Sequence, residues 1–262
     1  RIALTAILLI MAISCSTTRV LQDGEYRLAK NKVTVTNSKT FNPGSLDPYL
    51  KQKPNSYFLL GWNPFLYVYN WQNGKGKAWD KLVQRLGVEP VVYDAEMVDA
   101  SIENITDRLT YLGYYGSSVD SRINVKKKRV YVTYDITLGK RFPIRDIEIT
   151  IPQGGSFSQD FLSDTSAMLV KPGDYLSEDI LERETARSSA VLKNMGYYNF
   201  SKNNFFFEAD TLSYPDSAVL KMTINEYTRN EDPSQARPIT KYTFNEVSIS
   251  YPENLEFRTK VL

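Results

Sequence analysis

Leu109-Thr110-Tyr111-Leu112-Gly113-Tyr114-Tyr115 occurs a second time in the chain, with substitutions, as Leu192-Lys193-Asn194-Met195-Gly196-Tyr197-Tyr198. In each copy two apolar residues lie three positions apart on one side of a helical run, and a glycine follows them. Glycine readily adopts the left-handed conformation that closes many helices. Two such junctions in one chain predict a repeated structural module, in which two tyrosines begin an extended segment after each helix.

The similarity continues upstream of this stretch. A shift of 83 positions, from Leu109 to Leu192, places Asp94 on Ser177, and both are residue types that cap the N-terminus of a helix. After Asp94 the apolar residues advance in steps of three and four, which is typical of a helix with one buried side. These residues are Val98, Ile102, Ile105, Leu109 and Leu112. We therefore predict one long helix that occurs twice.

A second repeated pattern marks where each module begins. Arg141–Ile149 matches Lys241–Ile249 at a shift of 100 positions, from Phe142 to Tyr242, and both segments alternate as a strand with one buried face. In the first module, Lys32–Thr36 alternates in the same way. The third copy stops at Leu262, so we expect the chain to be a fragment of a longer protein.

Each long helix is followed by a predicted hairpin and preceded by a predicted short helix. The hairpin strands are Ser117–Val125 with Arg129–Leu138, and Phe200–Glu208 with Val219–Tyr227. The short helices are Ser45–Lys53 and Asp160–Met168. Lys126-Lys127-Lys128 forms the first hairpin turn; we interpret it as a solvated turn, and the alternative is a basic tip that steers an acidic partner. The order is strand, short helix, long helix and two strands.

Composition limits the function classes. The 262 residues are 42% apolar, which supports real hydrophobic cores, and the net charge of +2 is too balanced to indicate nucleic-acid binding. The chain contains no histidine and one cysteine, so the commonest general base and metal ligand are missing. We expect no catalytic residue, no metal and no cofactor, and we predict that the chain is not an enzyme.

The first residues resemble an export signal. An apolar run from Ile2 to Ile13 is too short to cross a bilayer comfortably but suits a signal-peptide core. Ala12-Ile13-Ser14-Cys15 then resembles the lipobox of bacterial lipoproteins, although Ala12 stands where leucine is usual. We predict lipidation of Cys15; the alternative is an ordinary signal peptide followed by a free cysteine.

An aromatic segment lies between the first short helix and the first long helix. Seven of the residues in Tyr57–Trp71 are aromatic, a density that suits a membrane-interface belt, a partner surface or an insertion packed on its own domain. Packing is favoured because Gly61-Trp62-Asn63-Pro64 interrupts a continuous amphipathic helix. A short helical run follows over Lys77–Leu86, with Trp79, Leu82, Val83 and Leu86 on one face.

Together these features resemble the POTRA module (polypeptide-transport-associated domain) of outer-membrane assembly factors of the BamA and TamA type. The N-terminal part is similar to the TamA-like lipoproteins, often called TamL. That likeness is carried by Leu21–Tyr26, by Tyr69-Asn70-Trp71 and by Gly87–Asp94. The implied fold is α+β, with tandem POTRA-like βααββ modules, each a three-stranded mixed sheet with helices packed on one face.

The resemblance and the two repeats together predict the domain organisation. We expect a signal peptide at 1–14, a linker at 15–30, a first POTRA-like domain at 31–139 with an aromatic insertion at 54–93, a second at 140–229, and the truncated start of a third at 239–262. The resemblance implies an outer-membrane location through the lipid and a C-terminal barrel, with these domains in the periplasm.

The implied function is that of an arm that binds unfolded outer-membrane proteins or partner subunits by β-strand addition, since an exposed sheet edge can pair with an incoming chain. An inner-membrane TamB-like partner is also implied. In POTRA modules the strand after the long helix lies at that edge. The candidate residues are therefore Ser117, Val119, Ile123, Val125, Phe200, Phe205, Phe206 and Phe207.

Two rival functions remain at this point. The first is a lipoprotein that serves only as a structural scaffold for a larger complex. The second is an enzyme that acts on envelope polymers, for which the carboxylate pairs Asp94 with Glu96 and Glu182 with Glu184 are available. We expect these pairs to lie at helix starts and on exposed faces, where solvation explains them.

Overall fold

Two three-stranded sheets, each covered by helices, form two separate units of the computed structural model, Arg1–Arg141 and Phe142–Leu262. The structure describes residues 17–56, 63–228, 234 and 236–247. The predicted signal peptide and Cys15 lie outside the described residues, as do residues 248–262 of the predicted third module.

The first unit has the predicted order of elements. The central strand β3 pairs in parallel with β1 on one side and antiparallel with β2 on the other. The elements are β1 (Arg27–Val35), a 3-10 helix (Pro43–Tyr49), α1 (Pro64–Tyr69), α2 (Ala78–Leu86), α3 (Ala95–Tyr111), β2 (Ser118–Lys126) and β3 (Arg129–Thr137).

The core of the first unit lies between α3 and the sheet. Ile105 and Leu109 of α3 are fully buried against alternate residues of β3, which include Val132 and Ile136. Fully burying a side chain of this size stabilises a fold by about 1.5–3 kcal/mol. The apolar stripe read from the sequence is therefore the face that joins helix and sheet.

The second unit repeats this topology. The central strand is β6, which pairs in parallel with β4 and antiparallel with β5. Its elements are β4 (Ile144–Thr150), α4 (Ser156–Asp164), a 3-10 helix (Thr165–Ala167), α5 (Glu178–Asn194), a 3-10 helix (Lys202–Asn204), β5 (Phe205–Asp210) and β6 (Ala218–Ile224). Two mixed sheets with helices confirm the predicted fold class.

Both long helices end in the same hydrogen-bonded turn. Gly113 and Gly196 have φ angles of 84° and 105°, in the left-handed region. The N–H of Tyr114 donates to the carbonyl of Leu109 at 2.8 Å, and the N–H of Tyr197 donates to Leu192 at 3.0 Å. These bonds, with those of the two glycine N–H groups, form a Schellman motif at each helix end.

The starts of the long helices also agree with the sequence. The carboxylate of Asp94 accepts the N–H of Glu96, and the hydroxyl of Ser177 accepts the N–H of Ile180. Each helix has 17 residues. The repeat therefore fixes both the length and the two ends of the helix.

The segment after the second long helix differs from the expectation. The strand begins neither directly after the tyrosines at Tyr198 nor at the predicted Phe200 but at Phe205, after a turn and the 3-10 helix. Phe200 is fully buried in the core, and the Ser201 hydroxyl caps the 3-10 helix. Because the Phe200 side chain packs in the core and a 3-10 helix follows it, residues 198–204 do not form a strand.

The start of the predicted third module is not a strand within its described part. Residues 241–247 have no regular secondary structure. Lys241 Nζ lies 2.8 Å from the Asp160 carboxylate, and the N–H of Tyr242 donates to the carbonyl of Gly196. The segment is thus fixed to the second unit by single contacts instead of a ladder.

The aromatic insertion contributes α1 and α2. Leu66 and Val83 are buried, and the Asp80 carboxylate accepts the N–H groups of Asn73 at 2.6 Å and Gly76 at 2.8 Å, which closes the loop before α2. Within the described part of the aromatic segment, the favoured packing on the domain holds for Leu66, whereas Phe65 and Trp71 are 41% and 45% exposed. Tyr57, Phe58 and Trp62 lie outside the described residues. On the helix that follows, Val83 is buried, and Trp79, Leu82 and Leu86 are exposed.

One carboxylate is placed differently from the expectation. Glu184 is only 1% exposed, not on a solvated face. Arg187 bonds it at 2.7 Å and also bonds both carboxylate oxygens of Asp164, while Glu184 accepts the N–H of Leu169. The hydrogen bonds to Glu184 and Asp164 raise the pKa of Arg187. The buried carboxylate of Glu184 is therefore stabilised by ion pairing within the fold and not by solvent.

Candidate strand-binding edges

Each sheet has two borders, and the strands after the long helices occupy one of them. In the sheet orders β1-β3-β2 and β4-β6-β5, strands β2 and β5 are outermost. The other borders are β1 and β4. Whether a border can accept a guest strand depends on which backbone groups the protein's own chain already pairs.

The border at β1 is closed at its beginning. The N–H of Leu28 donates to the carbonyl of Val91 at 2.8 Å, and the N–H of Tyr93 donates to the carbonyl of Tyr26 at 2.7 Å. Val91–Tyr93 immediately precedes the N-cap of α3. The end of the insertion thus adds a short antiparallel segment to β1.

The second unit closes the border at β4 in the same manner. The N–H of Ile144 donates to the carbonyl of Asp174 at 2.7 Å, and the N–H of Leu176 donates to Phe142 at 2.9 Å. Tyr175 here corresponds to Val92 at the same shift of 83 positions, and both form isolated bridges. Sequence reasoning missed this pairing, although its place just before each helix cap was available as a signal.

The border at β2 is open along the strand. Among the residues that the structure describes, backbone hydrogen bonds of Ser118–Lys126 with other segments go to β3 alone. In a sheet such unpaired N–H and C=O groups are a template for another chain. In the first unit the unpaired border therefore lies at the strand that follows the long helix.

Apolar side chains line this open border. Val119, Ile123 and Val125 lie opposite buried residues of β3, so they face the core side of the sheet. Val119 packs against the core, whereas Ile123 and Val125 are 48% and 51% exposed. A strand paired with β2 can cover both.

Ser117 has a different role from the other candidates. It precedes β2, and its hydroxyl donates to the carbonyl of Tyr114 and accepts the N–H of Gly139 at 2.9 Å. Ser117 therefore stabilises the turn between helix and strand and does not belong to the edge.

The phenylalanines of the second unit divide between two faces. Phe200 and Phe205 are buried in the core, and Phe207 packs against it. Phe206 points to the opposite face, with its ring centroid 5.6 Å from that of Tyr227. The side chains of Phe200 and Phe205 are thus unavailable to a guest, and Phe200 lies outside β5.

The outer face of the first sheet carries an ion pair. Arg122 on β2 hydrogen-bonds with Asp135 on β3, and this bond raises the pKa of Arg122 and lowers the pKa of Asp135. Lys128 in the hairpin turn donates to the carbonyls of Leu21 and Gln22 at 3.2 and 3.1 Å. The lysine turn therefore holds the N-terminal segment in addition to contacting solvent.

Neither a metal centre nor a membrane-spanning helix is found in the described part of the chain. There, no group of three or more histidine, cysteine, aspartate or glutamate side chains is placed to hold a metal ion. The helices there are also too short or too polar to cross a bilayer.

Residues 30–139 match the POTRA family model. The model is described as "Surface antigen variable number repeat". The POTRA match includes most of β1, the whole of α3, and the β2–β3 hairpin with its open border. The second unit has the same strand order and the same helix ends as this matched segment.

Solved structures show a distant likeness. POTRA3-5 of BamA from Haemophilus influenzae is 15% identical, with a TM-score of 0.40, and the match covers 80% of this chain and 70% of that one. POTRA1-3 of the periplasmic domain of Omp85 from Anabaena is 10% identical, with a TM-score of 0.29 and coverages of 76% and 65%. CdiB from Escherichia coli is 9% identical, with a TM-score of 0.28, and the match covers 80% of this chain and 29% of CdiB. A search of curated protein sequences found no match.

Proposed function

We propose that this chain is the periplasmic arm of an outer-membrane protein assembly or translocation factor. Its modules, at 31–139 and 140–229 with a third from residue 239, hold unfolded outer-membrane proteins or partner subunits by β-strand addition. Lipid on Cys15 and a C-terminal barrel attach the arm to the outer membrane, and a TamB-like protein of the inner membrane is a further partner. The POTRA match of residues 30–139 supports this function.

The open border of β2 is the observation that carries the proposal. One border of each sheet is partly paired by the protein's own chain, through Val91–Tyr93 or Asp174–Leu176. The opposite border of the first sheet is unpaired among the described residues, and it presents Ile123 and Val125. Backbone pairing gives affinity with little dependence on sequence, and the two apolar residues add contact area.

Site-specific photocrosslinking tests this assignment. A benzoylphenylalanine is placed at Asn124 on β2, and a matched one at Tyr26, directly before β1 and paired with Tyr93; both positions are exposed. The probe is a urea-unfolded outer-membrane porin diluted into the full chain. We expect crosslinks at Asn124 and few or none at Tyr26. Equal crosslinking at both positions, or none at Asn124, would contradict strand addition at β2.

Proline substitution separates backbone pairing from side-chain contact. Arg122→Pro and Ile123→Pro are made in turn, because neighbouring residues point their N–H groups to opposite borders. One variant breaks the β2–β3 ladder, and the other removes an outward N–H. We expect the variant that lacks only the outward N–H to remain folded and to crosslink several-fold less at Asn124. Unchanged crosslinking in a variant with a wild-type circular dichroism spectrum would refute the assignment.

A further inference from the structure

The outer side of α2 is apolar and exposed. Trp79 and Leu82 are each 48% exposed, and Leu86 is 57% exposed. The buried residues of this helix are Asp80 and Val83. Large side chains placed outward in this way commonly mark a surface that binds a partner or a membrane.

These side chains form one continuous surface. At about 3.6 residues per turn, positions three, four and seven apart lie on the same side of a helix. Trp79, Leu82 and Leu86 have this spacing, and the indole N–H of Trp79 donates to the carbonyl of Trp71 at 3.4 Å. We call the four residues Trp71, Trp79, Leu82 and Leu86 the α2 face.

The exposed charges on α2 and in the loop before it are basic, and the first exposed acidic residue after the helix is Glu89. Between Trp71 and Val88 the acidic residue is Asp80, which is only 2% exposed and bonded to two backbone N–H groups. The exposed charges in this range are all basic: Lys75, Lys77, Lys81 and Arg85. Lys81 and Arg85 are one turn apart and border the apolar stripe. A helix with tryptophan and leucine on one side and lysine and arginine beside them suits an anionic lipid surface.

The N-terminal segment is fixed beside the insertion that carries this face. The side-chain oxygen of Asn70 accepts the N–H of Arg19 at 2.7 Å and the N–H of Val20 at 3.2 Å. Asn70 is buried, and its amide nitrogen donates to the carbonyl of Leu66 at the end of α1. The N-terminal segment is therefore fixed to the insertion at Arg19, which is four residues after Cys15.

This attachment limits the distance between the lipid and the insertion. Four extended residues span at most about 14 Å. On the proposed lipidation of Cys15, the acyl chains therefore enter the bilayer within that distance of Arg19, and the insertion lies close to the headgroups. A protein partner can bind an apolar surface anywhere, but closeness to the lipid and the excess of basic residues on α2 and the loop before it both favour a membrane.

We propose that the α2 face is a membrane-docking site that binds the anionic phospholipid surface to which Cys15 is anchored. Trp71 and Trp79 lie at the headgroup level, Leu82 and Leu86 enter the acyl boundary, and Lys81 and Arg85 contact lipid phosphates. This docking orients the first module against the bilayer. It rests on the proposed outer-membrane location.

Vesicle flotation of the mature chain with Cys15→Ser tests the site without any contribution from acylation. The vesicles contain about one third phosphatidylglycerol, and neutral phosphatidylcholine vesicles are the comparison. We expect flotation with the anionic vesicles, a blue shift of tryptophan fluorescence, and weaker binding at high salt. No flotation, or equal flotation with neutral vesicles, would overturn the proposal.

Matched double variants locate the binding surface. Leu82→Glu with Leu86→Glu adds two negative charges to the α2 face, and we expect it to abolish flotation. Leu162→Glu with Leu212→Glu adds the same charge at exposed leucines elsewhere and should float like the wild type. Equal loss in both variants would contradict a specific face.

A milder variant keeps the test independent of folding. Lys81→Gln with Arg85→Gln leaves the apolar residues intact and should weaken binding to anionic vesicles by about tenfold or more. Concentration-dependent self-association that disappears in the Leu82→Glu and Leu86→Glu variant would instead show that a second copy covers the face. Strand crosslinking at Asn124 should be unchanged in all these variants, so failure of membrane docking is distinguishable from failure of strand addition.

Discussion

The guanidinium carbon of Arg141 lies 4.9 Å from the ring centroid of Tyr114. In the second unit, Lys241 Nζ lies 5.6 Å from the ring centroid of Tyr197. Each cation stands where the next module was predicted to begin, and each tyrosine follows the glycine that ends a long helix. The glycine of each repeat thus ends the helix, and the first tyrosine contacts a cation of the segment that follows the last strand of the unit.

Replacing Lys241 should release the chain that leaves the second unit. Lys241→Gln removes the ion pair with Asp160 and the contact with the Tyr197 ring. We expect only a small drop in the melting temperature, because exposed ion pairs contribute little to stability, but faster hydrogen exchange at the Tyr242 amide. Lys221→Gln, which breaks an exposed pair with Glu148, is the control and should leave that amide unchanged. Unaltered exchange in Lys241→Gln would show that the backbone bond to Gly196 is sufficient.

The contact between Asp160 and Lys241 should depend on pH. The hydrogen bond from Lys241, and then that from Tyr197, lowers the pKa of Asp160. A lowered carboxyl pKa stabilises the fold above the unfolded value of about 3.9, and this contribution is lost as the pH falls through the folded value. Asp160→Asn should therefore melt below the wild type at pH 7 and approach it below about pH 4. Melting curves over pH 2–8 measure this, and a constant difference throughout would contradict the assignment.

Removing Arg187 should destabilise the second unit strongly. Arg187→Met leaves the buried Glu184 without its cation, and breaking one partner of a buried ion pair costs about 3–5 kcal/mol. Urea denaturation followed by circular dichroism gives the value. Arg183→Met removes an exposed partner of Asp179 and should cost less than about 1 kcal/mol. Adding Glu184→Leu to Arg187→Met should recover part of the loss; if it does not, Arg187 acts mainly through Asp164.

The helices were more predictable than the surroundings of each side chain. The caps at Asp94 and Ser177 and the turns at Gly113 and Gly196 depend on neighbouring residues, so a shift in the sequence reveals them. The β2–β3 hairpin is local as well. The bonds of Val91–Tyr93 to β1 join segments far apart in the chain. The repeated place of this segment before a helix cap was a signal, but it does not indicate the partner strand.

Two errors have a common physical cause. The spacing of Trp79, Leu82 and Leu86 predicts that they share a side of a helix, but it does not tell what covers that side. Likewise, three consecutive phenylalanines at the start of β5 alternate between two faces, while Phe200 leaves the strand to fill the core. Periodicity gives relative orientation, whereas burial depends on neighbours contributed by other elements.

The segments at Val91–Tyr93 and Asp174–Leu176 have a consequence for stoichiometry. Because the protein's own chain pairs part of one border of each sheet, the longer unpaired border is the opposite one. Under the proposed function we therefore expect each module to bind one guest strand at a time, so that the number of strands bound rises with the number of modules.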